Sequence, residues 1–88
     1  MQPIDANTRT LIETIAHTCV FLEFSADDSV STDAAVAALE DIASTLHGLD
    51  SDGRSTFLAL TAEISANFTD PAQRDFVRTL GRALGIDP

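Results

Sequence analysis

Apolar residues recur every three or four positions in four segments of the chain, and this spacing constrains the fold more than any other feature. Within each segment they fall in one arc at about 100° per residue, which indicates amphipathic helices. No segment alternates apolar and polar residues as a half-buried strand does. The sequence therefore predicts an all-α fold, a compact antiparallel four-helix bundle with helices over about 5–24, 32–47, 51–68 and 71–84.

The breaks between these segments carry residues that begin and end helices. Asp50 precedes the third segment, and Asp70 precedes Pro71 at the start of the fourth. A carboxylate at the N-cap followed by proline is a typical helix start. Gly48 and Gly85 follow the second and fourth segments, where the position after a helix favours glycine.

Each predicted helix has an apolar face that we expect to form the core. The first helix departs from this pattern at its end, because Val20, Phe21 and Phe24 lie outside the stripe. Either a neighbouring helix covers these side chains or they are exposed for a partner. The predicted core faces are Leu11, Ile12, Ile15, Ala16, Cys19 and Leu22; Ala35, Val36, Leu39, Ile42, Ala43 and Leu46; Phe57, Leu60, Thr61, Ile64 and Phe68; and Phe76, Val77, Leu80, Ala83 and Leu84.

Three arginines, Arg74, Arg78 and Arg82, recur every four residues on the outer side of the fourth helix. A basic residue four positions after an acidic one can form an ion pair on a helix. We therefore expect Arg74 to pair with Asp70, and Arg78 to pair with an acid on an adjacent helix.

The chain has 88 residues and a formal net charge of −9. This length fits a single helical domain over residues 1–88. The excess of carboxylates lies in residues 1–52, where Arg9 is the only basic residue apart from His. Such a surface repels nucleic-acid phosphates and anionic lipids but attracts basic proteins. We expect no nucleic-acid and no membrane partner. The single cysteine and the lack of a signal-peptide pattern favour a cytoplasmic location.

The residues that carry chemistry elsewhere form no catalytic or metal-binding pattern here. Glu13 and His17 are four residues apart on one predicted helix, but a zinc site needs at least three ligands. The adjacent carboxylates of Glu40 and Asp41 diverge by about 100° on a helix, so they do not share one site. No glycine-rich phosphate loop is present. The sequence predicts no enzyme, no metal site and no cofactor.

The leading hypothesis is a protein-binding module of the kind represented by immunity proteins and antitoxins, which covers the surface of a basic protein or toxin enzyme. Its predicted partner-binding residues surround the first break: Phe21 and Phe24 as apolar anchors, with Glu23, Asp27, Asp28 and Asp33 as the charged surround. The alternative is a structural or adaptor bundle that self-associates, as a homodimer, through the apolar end of the first helix.

A second alternative comes from Asp28-Ser29-Val30, which precedes the helical stretch Val36-Ala37-Ala38-Leu39-Glu40-Asp41. These residues resemble the prosthetic-group site and following helix of acyl carrier proteins, which are also short, acidic and four-helical. The resemblance implies that Ser29 carries phosphopantetheine. It covers one short stretch of the chain, and Val30 stands where that family usually has Leu. The first and third predicted helices are also longer than those of the family.

Overall fold

The structure is a computed structural model that describes residues 5–25 and 30–86. Helices account for most of these residues, and the described ranges contain no strand. The predicted all-α helical bundle is therefore confirmed. The elements are α1 (Ala6–Phe24), α2 (Thr32–Leu46), α3 (Ser51–Ile64), a 3₁₀ turn (Ser65–Asn67), α4 (Pro71–Arg78) and α5 (Leu80–Ala83).

Carboxylate and hydroxyl side chains begin the four longer helices. Asp5, Ser31, Asp50 and Asp70 are the N-cap residues of α1, α2, α3 and α4. Each accepts hydrogen bonds from backbone amides of the following turn at 2.8–3.2 Å. The first amides of a helix have no partner within it, so these side chains satisfy donors that would otherwise need water.

Helix α1 contacts α2, α3 and α4, and α3 contacts α1, α4, α5 and the 3₁₀ turn. Arg9 Nη1 lies 3.2 Å from Glu63 Oε1, and Asn67 Nδ2 donates to Glu13 Oε2 at 3.3 Å. The two contacts join α1 to the last turn of α3 and to the 3₁₀ turn that follows it. The core comprises Ile12, Ala16, Cys19, Val20, Phe57, Leu60, Ile64, Phe68, Val77, Leu80, Leu84 and Ile86.

The buried face of α3 matches its prediction, but three residues predicted to lie in the core of other helices are exposed. Leu11 is 65% exposed and Val36 is 49% exposed, and Ala83 is exposed as well. Val20, which lies off the predicted stripe of the first helix, is buried. The cause is the position of α3 and α4, which pack on the side of α1 that carries Val20 and leave the Leu11 side uncovered.

The helix predicted over 71–84 is divided at Thr79, which has φ −111° and ψ 21°. The Thr79 amide and hydroxyl both donate to the Asp75 carbonyl, at 3.2 and 2.9 Å. Thr14 and Thr18 make the same hydroxyl bond inside α1, which continues past both, so this bond alone does not end α4. The break lets α5 pack against α3. The third predicted helix also ends early, since the last turn before Phe68 is 3₁₀.

Helix α5 approaches α3 closely because Gly81 has no side chain. A Cβ atom added at Gly81 would overlap Cδ2 of Leu58. The helix then ends at Gly85, whose φ of +73° is the left-handed conformation expected of a terminating glycine. The Ile86 amide donates to the Gly81 carbonyl at 2.7 Å, and Ile86 is fully buried. Gly48 does not adopt the left-handed conformation.

None of the helices in the described ranges combines the length and the apolar character needed to cross a membrane.

Candidate partner-binding surface

The last turn of α1 and the first half of α2 form one continuous region, which we call the α1–α2 junction and define as residues 21–25 and 30–39. It holds the predicted binding residues Phe21, Glu23 and Phe24 at the end of α1 and Asp33 in the first turn of α2. All four are exposed. Asp27 and Asp28, the other two predicted binding residues, lie outside the described residues, as does Ser29.

The two phenylalanines of the junction have different surroundings. Phe24 packs edge-to-face against Phe76 of α4, with ring centroids 5.7 Å apart and an interplanar angle of 81°. Phe24 remains 43% exposed, whereas Phe21 is 55% exposed and has no ring partner among the described residues. The sequence left open whether a neighbouring helix covers these rings or they are exposed. In the structure, α4 partly covers Phe24, whereas Phe21 is exposed to solvent.

A groove of about 140 Å³ lies between the end of α1 and the first turns of α2. An aliphatic cavity of roughly this size is large enough to take a benzene ring. Its described lining combines aliphatic side chains with polar surface, and Glu23 is the only charged residue in that lining. The groove therefore has room for one apolar side chain beside a carboxylate. The described lining residues are Leu22, Glu23, Ser25, Val30, Thr32, Ala35, Val36 and Leu39.

Sequence reasoning missed this groove, because the apolar spacing placed its α2 residues in the core. The composition of α2 carries the missing signal. On its predicted core face, the first half of α2 places Ala35 beside Val36, and the Ala35 side chain is too short to fill the space beside α1. A short side chain on the face of a helix leaves room wherever the neighbouring helix does not approach more closely.

Helix α2 is attached to the fold mainly at its C-terminal end. Ile42, Ala43 and Leu46 are partly buried and pack against the core, whereas the one buried residue of α2, Ala35, lies in its first half. His47 Nε2 lies 3.2 Å from the Leu84 carbonyl oxygen, at hydrogen-bond distance. The Arg54 guanidinium donates to the His47 carbonyl at 2.7 Å and to the Leu49 carbonyl at 3.0 Å. These bonds fix the end of α2 that is remote from the groove.

The arginines of α4 take part in local structure. Arg74 donates to the carbonyls of Phe68 and Thr69, at 2.9 and 3.3 Å, while the Asp70 carboxylate accepts from backbone amides at the start of α4. Arg78 lies 3.5 Å from Asp75 on its own helix rather than beside an acid of an adjacent helix. The acidic residues of the junction therefore gain no counter-charge from Arg74 or Arg78.

Glu13 and His17 each contact the segment that follows α3. Glu13 accepts from Asn67, and the His17 ring lies 4.8 Å from the Phe68 ring, centroid to centroid. In residues 5–25 and 30–86, no three His, Cys, Asp or Glu side chains come together as metal ligands.

Cys19 is a buried core residue, as its apolar neighbours in the sequence predict. Burial raises the pKa of its thiol from 9.0 to about 11. The neutral thiol is favoured because a thiolate would lose its hydration inside the core. A thiol in this state is a poor nucleophile at neutral pH, so its contribution is to packing.

Comparison with known proteins finds no match for this chain among protein families, curated proteins or solved structures.

Proposed function

We propose that the protein is a cytoplasmic, acidic protein-binding module that holds a basic protein at the α1–α2 junction, in the manner of an immunity protein or antitoxin that covers a basic enzyme. The observation that carries this proposal is the exposure of the Phe21 ring at the acidic end of the fold, where Glu23 and Asp33 are exposed as well. The proposed role is binding and requires no catalytic group from this chain.

Phe21 has the properties of an interface anchor. Its ring is more than half exposed, and it extends from a helix whose opposite side is fixed in the core by Ala16, Cys19 and Val20. Interfaces draw most of their binding energy from a few residues, with aromatic side chains prominent among them. A rigid helix also holds the ring in place before binding, so little conformational entropy is lost on association.

The charge of the junction selects the class of partner. Glu23 and Asp33 are exposed, and neither forms an ion pair with a described residue. The chain as a whole carries a net charge of −9. An acidic surface of this kind accelerates encounter with a basic protein and disfavours acidic ones. The proposal therefore specifies a basic partner whose association weakens as salt rises.

Affinity capture at low salt, with elution by a salt gradient and identification by mass spectrometry, tests this proposal. We expect one basic protein to be retained by the wild type. We expect its retention to be lost in Phe21→Ala and reduced in Glu23→Lys. Two matched controls should retain it: Leu11→Ala removes another exposed apolar side chain of α1, and Asp41→Lys makes the same charge change away from the junction.

Two results would contradict the proposal. Recovery of nothing beyond the bait would remove the basic partner altogether. Equal loss in the Phe21 and Leu11 variants would show that the junction is not the site of binding.

A second candidate, self-association, is favoured by the outward face of α1. Leu11, Thr14, Thr18 and Phe21 lie within about 80° of arc on this helix, and all four are exposed. The Thr14 and Thr18 hydroxyls donate to carbonyls four residues earlier, at 2.9 Å, so a covering surface need not satisfy them. None of the three charged residues of α1 falls within the arc. A second acidic copy could therefore approach this face with little repulsion.

Light scattering at micromolar concentration tests self-association. We expect a dimer mass for the wild type if this candidate is correct, and a monomer mass for Leu11→Lys. Ala37→Lys, which adds the same charge at an exposed position of α2, should leave the mass unchanged. A monomer mass for the wild type would exclude this candidate and leave the junction available to a basic partner.

A further inference from the structure

We infer that the groove between α1 and α2 receives one apolar side chain from a basic segment of the partner, while Glu23 pairs with a Lys or Arg next to that side chain. This inference rests on the proposed function, and it specifies the part of the partner that the module recognises. The juxtaposition that carries it is a groove of about 140 Å³ that combines aliphatic side chains with a single carboxylate residue in its described lining.

The lining determines what the groove can hold. Leu22, Ala35, Val36 and Leu39 present aliphatic surface, and Val36 is 49% exposed. An occupant that removes this surface from water gains affinity in proportion to the apolar area covered. Complete burial of one Leu or Phe side chain corresponds to about a ten- to hundredfold gain in affinity.

Glu23 determines which chain can supply that side chain. It lines the groove, is exposed, and has no ion pair with a described residue. A segment with a carboxylate beside its apolar residue would place two negative charges together, which disfavours binding. A second copy of this chain, with its net charge of −9, fits less well for the same reason. A segment with Lys or Arg at that position supplies the missing counter-charge.

The position of the groove allows it to adjust to an occupant. The one buried residue of α2, Ala35, lies in its first turns but outside the core, and the hydrogen bonds to Leu84 and Arg54 lie at the His47 end. A small outward movement of the first turns of α2 therefore exposes Ala35 but leaves the core covered. The groove can widen around a side chain without loss of the packing between α1 and α3.

Synthetic peptides provide the probe. In the first peptide a single Leu stands between Arg and Lys residues; in the second, Ala replaces that Leu; in the third, Glu replaces the basic residues. Dissociation constants are measured by fluorescence anisotropy at low salt. We expect the basic Leu peptide to bind, the Ala peptide to bind about ten- to hundredfold more weakly, and the acidic peptide not to bind.

Two protein variants tie this effect to the groove. Val36→Phe places a ring at the groove and should weaken the basic Leu peptide to the level of the Ala peptide. Ala37→Phe makes a comparable addition at an exposed position of α2 outside the lining and should not weaken it. Glu23→Gln should weaken binding and reduce its dependence on salt. Far-UV circular dichroism checks that each variant is folded.

Different results would contradict the role of the groove and the proposed binding of a basic protein. Equal affinities of the Leu and Ala peptides, or equal effects of the two Phe variants, would overturn the groove as the site of recognition. Failure of every basic peptide to bind would overturn it as well. The proposed function is tested separately by capture of a whole basic partner through Phe21.

Discussion

Replacement of Cys19 by Ala should abolish a loss of stability that we expect in the wild type between pH 9.0 and about 11. In the unfolded chain the thiol ionises near its ordinary pKa of 9.0, whereas burial raises the pKa in the folded protein to about 11. Because the thiol pKa is higher in the folded protein than in the unfolded chain, the contribution of Cys19 to the free energy of unfolding is fully present below pH 9.0. This contribution is lost as the pH rises from 9.0 to about 11, because in that interval the unfolded chain releases the proton more readily than the folded protein.

The size of the loss follows from the width of the window. A difference of one bound proton changes the free energy of unfolding by about 1.4 kcal/mol per pH unit. Across the whole window the loss amounts to about 3 kcal/mol, which is a large share of the roughly 5–15 kcal/mol typical of a folded domain. The sequence isolates this effect, since it contains neither Tyr nor Lys and its arginines stay charged.

The test is urea denaturation of the wild type and of Cys19→Ala, followed by far-UV circular dichroism at pH values from just below 9.0 to about 11. For each protein it gives the slope of the free energy of unfolding against pH. Circular dichroism suits a chain that has no Trp and no Tyr to report by fluorescence. A reducing agent keeps the thiol free. The substitution itself lowers stability by a constant amount, because it leaves a small cavity. Parallel slopes for the two proteins would refute the assignment of the alkaline loss to burial of Cys19.

Three further predictions concern stability and are measured by the same denaturation assay near neutral pH. Phe57→Ala should lower the free energy of unfolding by about 3–5 kcal/mol because Phe57 is 1% exposed. Phe21→Ala should lower it by less than about 1.5 kcal/mol because more than half of Phe21 is in water. Similar losses for the two variants would show that Phe21 is buried. Gly85→Ala should cost about 1–2 kcal/mol, since an L side chain is strained at φ +73°, and an unchanged midpoint would argue against that backbone conformation. Asp70→Ala should cost about 0.5–2 kcal/mol, since it removes the acceptor for two amides at the start of α4; no loss would mean that water replaces the cap without cost.

The beginnings of the helices were predictable because their causes are local. Asp50 and Asp70 cap amides two or three residues away, so the sequence alone contains both partners. The apolar face of α3 was also predictable, since other helices cover that face and all five of its expected core residues are buried.

The coverage of α1 and α2 was not predictable from spacing. Apolar spacing predicts that Leu11 and Ile12 lie on the same side of a helix. Which of the two is buried depends on where the neighbouring helices pack. The break at Thr79 depends in the same way on how closely α5 packs against α3.

The candidate site was predictable only in part, for the same reason. Exposure of Phe21 and Phe24 was one of two options left open by the sequence, and packing against Phe76 separates the two rings. The groove depends on the gap between two elements, which no local pattern encodes. Arg74 illustrates the same limit: the acidic residue four positions before it suggests an ion pair, yet its hydrogen bonds go to main-chain carbonyls.

The close approach at Gly81 has an evolutionary consequence. A Cβ atom at position 81 would overlap Cδ2, the end of the Leu58 side chain, so a side chain gained at position 81 requires residue 58 to rotate away or to shorten. Homologous chains that keep α5 packed closely against α3 should therefore tend to change at the two positions together. A correlated pair of this kind would help to identify distant relatives.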